Sequence, residues 1–545
     1  MQQLVDLFGF LSVVMRAGTL VFQSLLLGGV LFVLWVARDV PGDEAQRHKM
    51  DLGTSRLLQF SVVGLIVVQL LYLYVNSAVL MTTAEIGFSG VIGANFFVSG
   101  TIVLCGAFAA LVFTQLRSKL TPWLLLVTAI VVLGASLMTN HAASRMEGRV
   151  LLVALTATHE VATGLWIGGL PFLVLALFRD KDSTARWYIT ERFSRLALMC
   201  VILIVISGLG MSLVYIGSWR AVLGTAYGVM VTAKAAMLGV LMLLGGINFL
   251  LLRNSPRDAV MPRLRRLIEV EVGIGITVIL TAASLTSQPP AVDQPGDTVS
   301  LHQIMQRFRP TVPRLTYTQV ADLAIADPST SANTSDAPSK IPVAYNADGQ
   351  PLSAQTVNDS IESESNHHWM GVVVLTMGLL ALLARSGKVP WAEYWPLLLI
   401  GIAVFIFLQA DTECWPVGWK SFGACWADPE VFQHRMAALV CVAFAIFELR
   451  VRRSKREHNR MALVFPLMCA AGGAVLLTHS HAITNVRENL LVELSHVPMG
   501  IFAVFAGWAR WLELRLPAED RKIPSWVWPA CFVLIGVGLL NYREM

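Results

Sequence analysis

A first group of candidate metal ligands lies around two neighbouring apolar segments. One segment ends at Met138, Thr, Asn and His141, and the next carries His159 about two turns from its start, followed directly by Glu160. Neutral imidazole is the most common metal ligand and binds zinc, copper, iron and nickel, whereas a Met thioether suits Cu(I). The pattern predicts that His141 and His159 meet across a helical hairpin and bind a metal with Met138 nearby.

A second group repeats this arrangement near the end of the chain. There a segment ends at His479, Ser and His481, and the next segment carries His496, while His434 begins another segment. We predict these four histidines as further metal ligands. An alternative remains open, because His434, His481 and His496 on three adjacent helices could instead ligate haem, which is held by imidazoles from facing helices.

Two ionisable residues lie inside apolar segments, where a charge is costly and tends to face a partner or a cavity. Glu160 follows His159 and is predicted to act as a supporting or proton-linked group. Lys234 is predicted to pair with Glu160 or another acid, or to extend towards the membrane surface. Glu269 and Glu271 are interpreted either as charges at a helix start or as an exit for an ion or proton.

The elements that must position these residues are membrane helices. Apolar residues make up 55% of the 545-residue chain, and charged residues only 14%, against about 25% in soluble domains. This composition excludes a disordered chain and an ordinary soluble enzyme. Segments of roughly 20 apolar residues can span a bilayer. Fourteen are predicted: 8–36, 57–81, 93–115, 122–139, 151–178, 196–216, 227–252, 267–285, 369–385, 394–410, 431–449, 461–478, 490–508 and 526–541.

The fold class is therefore predicted as an all-α, polytopic membrane helix bundle. Its predicted parts are an eight-helix block over 1–285, a large polar loop over 286–368 between helices 8 and 9, and a six-helix block over 369–545. The loop is rich in Ser, Thr, Asp, Asn and Pro, a composition that cannot bury a core. A short amphipathic piece at 302–308 is expected to be helical within it.

Loop charges predict the orientation. If alternate loops are assigned to opposite sides, one side carries 28 Lys and Arg residues and the other 10. Basic loops remain in the cytoplasm, so both termini should lie outside, which in a bacterial inner membrane is the periplasm. Because the start of the chain lacks a basic region before its apolar stretch, the first segment is predicted to be retained. All candidate histidine ligands then map to the outer side.

Other motifs narrow the functional classes. The sequence shows no phosphate-binding loop and no nucleophile motif, so an enzyme is not expected, and its basic residues indicate topology rather than a nucleic-acid partner. Cys414 and Cys425 share one predicted outer loop. In an oxidising periplasm this pair is expected to form a disulfide.

The first block resembles the CopD family of bacterial copper-resistance membrane proteins over roughly residues 120–285. The motif residues that carry this resemblance are His159, Glu160, Trp166, Ile167, Gly168, Gly169, Arg192, Phe193, Ser194, Leu196, Gly208, Tyr227, Gly228, Lys234 and Asn248. The resemblance implies an inner-membrane protein that handles a copper ion and moves it from periplasm to cytoplasm. It also implies a separate, CopC-like periplasmic copper-binding protein as a partner, beside the lipid bilayer itself.

Overall fold

The protein is described here by a computed structural model. The ranges that the structure describes are residues 4, 8–40, 44–116, 118–179, 183–254, 257–294, 298–316, 354–427, 429–453, 460–478 and 486–543. Within these ranges the chain is α-helical with short 3-10 and π-helical turns, and its only β-type pairing is an isolated bridge between Cys414 and Lys420. The predicted all-helical class is confirmed.

Twelve α-helices are described before residue 298. They are α1 (Phe8–Leu31), α2 (Glu44–Thr83), α3 (Phe88–Ile92), α4 (Asn95–Phe113), α5 (Thr121–Leu137), α6 (His141–Ser144), α7 (Arg149–Trp166), α8 (Leu170–Arg179), α9 (Ser183–Tyr215), α10 (Trp219–Gly224), α11 (Ala226–Asn254) and α12 (Arg257–Leu285).

Eight more α-helices are described after residue 298. They are α13 (Leu301–Arg307), α14 (Ala354–Arg385), α15 (Leu398–Gln409), α16 (Phe422–Ala427), α17 (Pro429–Arg453), α18 (Val464–Thr478), α19 (Val486–Arg515) and α20 (Lys522–Leu540). Helix α13 is the short helix expected in the polar loop. Ser300 starts it with a capping box, in which its hydroxyl accepts from the backbone of Gln303 and the Gln303 side chain accepts in return.

Eleven helical segments of the described chain are long and apolar enough to cross a membrane. They are Leu11–Val36, Met50–Thr83, Asn95–Phe113, Arg149–Arg179, Thr184–Tyr215, Ala226–Asn254, Val260–Leu285, Ile361–Arg385, Pro390–Gln409, Met461–Thr478 and Lys522–Leu540. The remaining predicted spans correspond to α5, which is shorter, and to the more highly charged α17 and α19. A multi-pass membrane protein is therefore confirmed, and the count of fourteen stays a prediction.

The chain forms two compact units. The first comprises Met1–Thr298 with Ala474–Thr484, and the second comprises Val299–Gly473 with Asn485–Met545. The three domains predicted from the sequence remain a prediction, and residues 317–353 of the polar loop lie outside the described residues. Helix α14 begins at Ala354, well before the predicted span at 369, because hydropathy marks where a helix becomes apolar and not where it begins.

In the first unit, α1 packs against α2, α5, α7 and α12. Its contact with the chain just after α7 is a direct approach of backbones. A Cβ atom added to Gly168 would lie 1.9 Å from the carbonyl oxygen of Ser24, and one added to Gly28 would lie 2.3 Å from the backbone of Gly168. Small residues let membrane helices approach in this way. The Gly28–Gly168 contact thus fixes the position of α7 beside α1.

In the second unit, an aromatic core and a buried charge network occupy the same region. Trp528 is 1% exposed and lies in the core cluster of this unit. Its indole Nε1 donates to Glu513 Oε2 at 2.7 Å, and Arg510 donates to Glu513 at 2.6 Å and to Glu448 at 3.2 Å. Arg385 also contacts Glu513. These ionic groups therefore join α14, α17 and α19 to α20.

Candidate metal site

A polar cluster joins α1, α5 and α7 in the first unit. Asn140, just after α5, donates from Nδ2 to Glu160 Oε1 at 2.8 Å, and Gln23 of α1 donates to Glu160 Oε2 at 3.4 Å. Arg16 of α1 donates to the Asn140 side chain and, at 3.2 Å, to the Ser136 hydroxyl. Glu160 therefore faces the interior of the bundle, as expected for a carboxyl group inside an apolar helix.

His159 faces a different neighbour, helix α9. Its Nδ1 lies 3.1 Å from the Ser207 hydroxyl oxygen, and that hydroxyl donates its own proton to the carbonyl of Leu203 at 2.6 Å. Because a hydroxyl has one proton, Nδ1 of His159 must be the donor in the first contact. Nε2 then carries the lone pair, which is the form of imidazole that binds a metal ion.

Lys234 of α11 lies near both residues of this His-Glu step. It interacts electrostatically with Glu160 and with His159. In the described part of the chain, however, no direct ion pair joins Lys234 to Glu160. The amine thus supplies positive charge beside the cluster without closing a salt bridge, and the predicted pairing is present only as a longer-range interaction.

His141 lies on the short helix α6, outside the membrane-spanning segments. Burial lowers the pKa of its ring below the ordinary 6.5, and Arg145 adds to this effect, whereas hydrogen bonding to the backbone of Thr286 and Gln288 and the charge of Asp293 oppose it. Its Nε2 atom is buried and has no hydrogen-bond partner among the described residues. The environment therefore favours a neutral ring with one nitrogen available.

His141 and His159 have separate surroundings. Each ring has its own partners, and within the described chain no hydrogen bond or ring contact connects the two. The residue that reaches into α7 from the end of α5 is Asn140, one position before His141. His159 lies ten residues into α7, or roughly 15 Å along its axis at 1.5 Å per residue. The predicted copper binding by the two rings remains a prediction.

A methionine thioether contacts α7 one helical turn before His159. The Met211 sulfur of α9 lies 3.4 Å from the Thr156 hydroxyl oxygen, which donates to the Leu152 carbonyl at 2.8 Å, and Thr156 precedes His159 by three residues on α7. Met138, the predicted methionine ligand, lies at the end of α5 with 57% of its surface exposed. Met138 was predicted because it is close to His141 in the chain, and that role remains a prediction. The pairing of α7 with α9 adds Met211 as a thioether beside the helix that carries His159.

The second predicted histidine group is described only in part, because His479 and His481 lie outside the described residues. His434, at the start of α17, contacts Asp411 Oδ1 through Nδ1 at 2.9 Å. His496 lies on α19, where its ring meets His367 and Tyr542. The described residues contain no group of three or more His, Cys, Asp or Glu side chains arranged to hold a metal ion. Metal binding by this group stays a prediction.

A cavity of about 240 Å³ lies deeper in the first unit. Its lining includes Trp166, Asn248 and Glu271, and Asn248 Nδ2 donates to Glu271 Oε1 at 2.6 Å. Glu269 instead pairs with Arg266 at 2.5 Å. Neither acid lies at a helix start, because α12 begins at Arg257. The arginine-rich first turns of α12 lack the hydropathy that marks an apolar segment.

The predicted disulfide partners are neighbours. Cys414 and Cys425 are buried together with Val431, and a hydrogen bond connects the two free thiols. Burial, and then this hydrogen bond, raise the pKa of Cys414 to about 12. The disulfide itself remains a prediction, for which the two thiols are suitably placed.

These features define a class of protein: an all-helical, multi-pass membrane protein with ionisable groups inside its bundle. Residues 187–285 match the family described as CopD, copper resistance protein D. The resemblance found in the sequence is thereby confirmed for this segment, which runs through α9, α11 and α12. It contains Ser207, Lys234, Asn248 and Glu271, and it therefore supplies the α9 side of the His159 environment.

A relative with a function in its name is the copper transport protein CutJ of Bacillus subtilis (strain 168). The chain is 35% identical to it over 158 residues, which are 28% of this chain and 28% of CutJ. The similarity thus spans little more than a quarter of the length of that relative. No solved structure matches the chain significantly.

Proposed function

We propose that this protein binds copper ions and moves them across a bacterial inner membrane from the periplasm to the cytoplasm. One observation carries the proposal. The His159 ring is held by Ser207, a residue of the CopD segment, in the tautomer that leaves Nε2 able to bind a metal ion. Copper is the substrate in this proposal, and the chain contributes the ligands along its route.

The separate surroundings of the two histidines favour successive steps over a shared centre. His141 lies outside the spans with an unpartnered, buried Nε2, which makes it the proposed first contact for copper. His159 lies further along, and Met211 one turn from it offers the soft sulfur that Cu(I) prefers. Met138, exposed at the end of α5, is proposed as a further thioether ligand near the entry at His141.

The proposed role of the ionisable pair is control of charge. A cation entering a low-dielectric bundle is costly unless opposite charge lies close to it. Glu160 supplies that charge on the face of α7 next to His159, and Lys234 lies near enough to neutralise it when no cation is present. An entering copper ion would then replace Lys234 as the positive charge that interacts with Glu160.

We also propose an orientation in the membrane and a partner protein. Both termini are placed in the periplasm by the loop charges, so the exposed ligands would face that side. A separate CopC-like copper carrier would deliver the ion, since the described chain is helical and has no β-domain of its own. His434, His479, His481 and His496, near the end of the chain, are proposed as additional copper ligands.

The direct test compares His159→Ala with His302→Ala in the full-length protein in lipid nanodiscs. His302 is exposed on α13 and serves as the matched control. Titration with Cu(I) against a chromophoric chelator should show at least a tenfold loss of affinity for one ion in His159→Ala and no loss in His302→Ala. In proteoliposomes, copper uptake should fall in parallel. Equal affinity and uptake in both variants would defeat the assignment.

The same preparation distinguishes the alternative function. A membrane redox protein with haem on His434, His481 and His496 would show a Soret absorption band as purified. Such a band, lost in His496→Ala and kept in His159→Ala, would show that these three histidines bind haem and not copper.

A further inference from the structure

Two histidines and a tyrosine are stacked in the second unit. His367 of α14 and His496 of α19 have ring centroids 6.0 Å apart at an interplanar angle of 84°. Tyr542, just after α20, stacks on His367 at 3.9 Å and meets His496 edge to face at 5.7 Å. Helices α14 and α19, more than a hundred residues apart in the sequence, thus bring two imidazoles together beside the end of α20.

The tautomer of His367 is set by its own helix. Nδ1 lies 2.7 Å from the carbonyl oxygen of Ser363, and because a carbonyl can only accept, Nδ1 must donate. Nε2 therefore holds the lone pair, and it has no hydrogen-bond partner among the described residues. A histidine that donates from one nitrogen to a backbone carbonyl is the usual arrangement of a metal ligand.

The separation of the rings fits one shared ion. An imidazole nitrogen binds a metal at about 2.0 Å, and the ring centroid lies about 1 Å further out, so two rings on one ion have centroids roughly 5–6 Å apart. The observed 6.0 Å lies at the wide end of this range and is long enough for a nearly linear arrangement of two nitrogen ligands. Two-coordinate, linear geometry is characteristic of Cu(I). We propose that His367 and His496 form a second copper site.

The surroundings favour a cation and hold the rings in place. Glu364, which pairs with Arg314 at 3.6 Å, precedes His367 by three residues, and Glu493 precedes His496 by three, so each histidine shares its helix face with a buried carboxyl group. His368 fixes the position of Tyr542, because its Nε2 contacts the Tyr542 carbonyl oxygen at 2.9 Å. The Tyr542 ring therefore packs in a defined position against one face of His367.

The choice of copper rests on the proposed function, but the site does not share residues with the first unit. His159→Ala should therefore leave it intact. This separation makes the two proposals distinguishable, since each predicts the loss of a different bound ion.

The test uses His367→Phe and His496→Phe in the full-length protein, together with the double variant. Phenylalanine retains an aromatic ring beside Tyr542 and removes the nitrogen ligand. Each single variant should lose the same single Cu(I) ion, and the double variant should lose no more than either alone, because both rings hold one ion. His302→Phe, on the exposed face of α13, is the control and should keep all bound copper.

X-ray absorption at the copper edge provides a second measurement. The His159→Ala protein should show two imidazole ligands at about 2 Å. Adding His367→Phe to that protein should remove this signal. Full copper content in a folded His367→Phe protein would overturn the proposal, as would losses that add in the double variant. If His367→Phe does not fold, His367→Gln is the substitute, and retention of the ion in that folded variant counts equally against the site.

Discussion

Asn140 Nδ2 and Glu160 Oε1 are 2.8 Å apart, and this hydrogen bond joins the chain that leaves α5 to the interior of α7. The same Asn140 side chain accepts from Arg16 of α1. The Asn140 amide thus connects Arg16 of α1 with Glu160 of α7. Its nitrogen donates to the Glu160 carboxyl group, and its oxygen accepts from the Arg16 guanidinium.

Replacing this amide should destabilise the first unit. In Asn140→Ala, Glu160 and Arg16 both lose a partner inside the bundle, and a buried polar group left unpaired costs about 1–3 kcal/mol. We expect a lower thermal unfolding temperature in detergent. Thr139→Ala is the matched control, because the Thr139 hydroxyl bonds only to the Ser136 carbonyl of its own helix. Equal unfolding temperatures in the two variants would show that the Asn140 bridge contributes no stability.

Gly168→Ala tests the backbone contact between α1 and the end of α7. The added methyl group would lie 1.9 Å from the Ser24 carbonyl oxygen, so the helices must separate. Overpacking of this kind costs about 1–3 kcal/mol. Yield of folded protein and unfolding temperature should both fall. Gly239→Ala, where nothing lies within 4 Å of the new methyl group, should behave like the wild type; a matching loss there would mean that the effect is not steric.

His141 should make stability depend on pH. Its pKa is lowered in the folded protein, so as pH falls through the ordinary 6.5 the unfolded chain takes up a proton that the folded chain does not. Stability is then present above about pH 6.5 and is lost below it, until the lowered pKa of the folded state is reached. The drop in unfolding temperature between about pH 7.5 and about pH 5.5 should be smaller in His141→Gln. An unchanged or larger drop would contradict this assignment.

Arg510→Met should destabilise the second unit. Arg510 is buried and bridges Glu448 and Glu513, and removal of one partner from a buried ion network leaves charge uncompensated, at a cost of about 3 kcal/mol or more. Chemical unfolding in detergent should report this loss. The exposed pair of Arg195 and Glu191, 2.6 Å apart, supplies the control, since Arg195→Met should change stability by less than about 1 kcal/mol. The interpretation fails if both arginines cost the same.

The helical class and the interior orientation of Glu160 followed from hydropathy and from the cost of charge in lipid. Both depend on local composition, which a single sequence displays directly. The start of α14 at Ala354 was missed for the same reason, because its first turns are polar and resemble a loop. Position along the chain favoured Met138, which is near His141 in sequence and stays a prediction, whereas the contact of Met211 with α7 depends on the packing of α9.

The His367–His496 pair could not be predicted from the sequence. His367 adjoins a membrane segment beside His368, and nothing in its own stretch of sequence connects it with His496. Its contact with His496 depends on how α14, α19 and α20 pack, and each helix contributes one ring to the stack. No spacing rule within one chain segment encodes a contact among three segments.

The direct backbone contact at Gly28 and Gly168 limits what can lie between α1 and the chain that follows α7. Two segments that touch through glycine backbones leave no room for a side chain or an ion between them. Side-chain contacts, such as that of Leu155 with Gly210 and that of His159 with Ser207, join α7 to α9 instead. The His159 ring therefore lies on the side of α7 where the contact between helices is made by side chains, which can change rotamer.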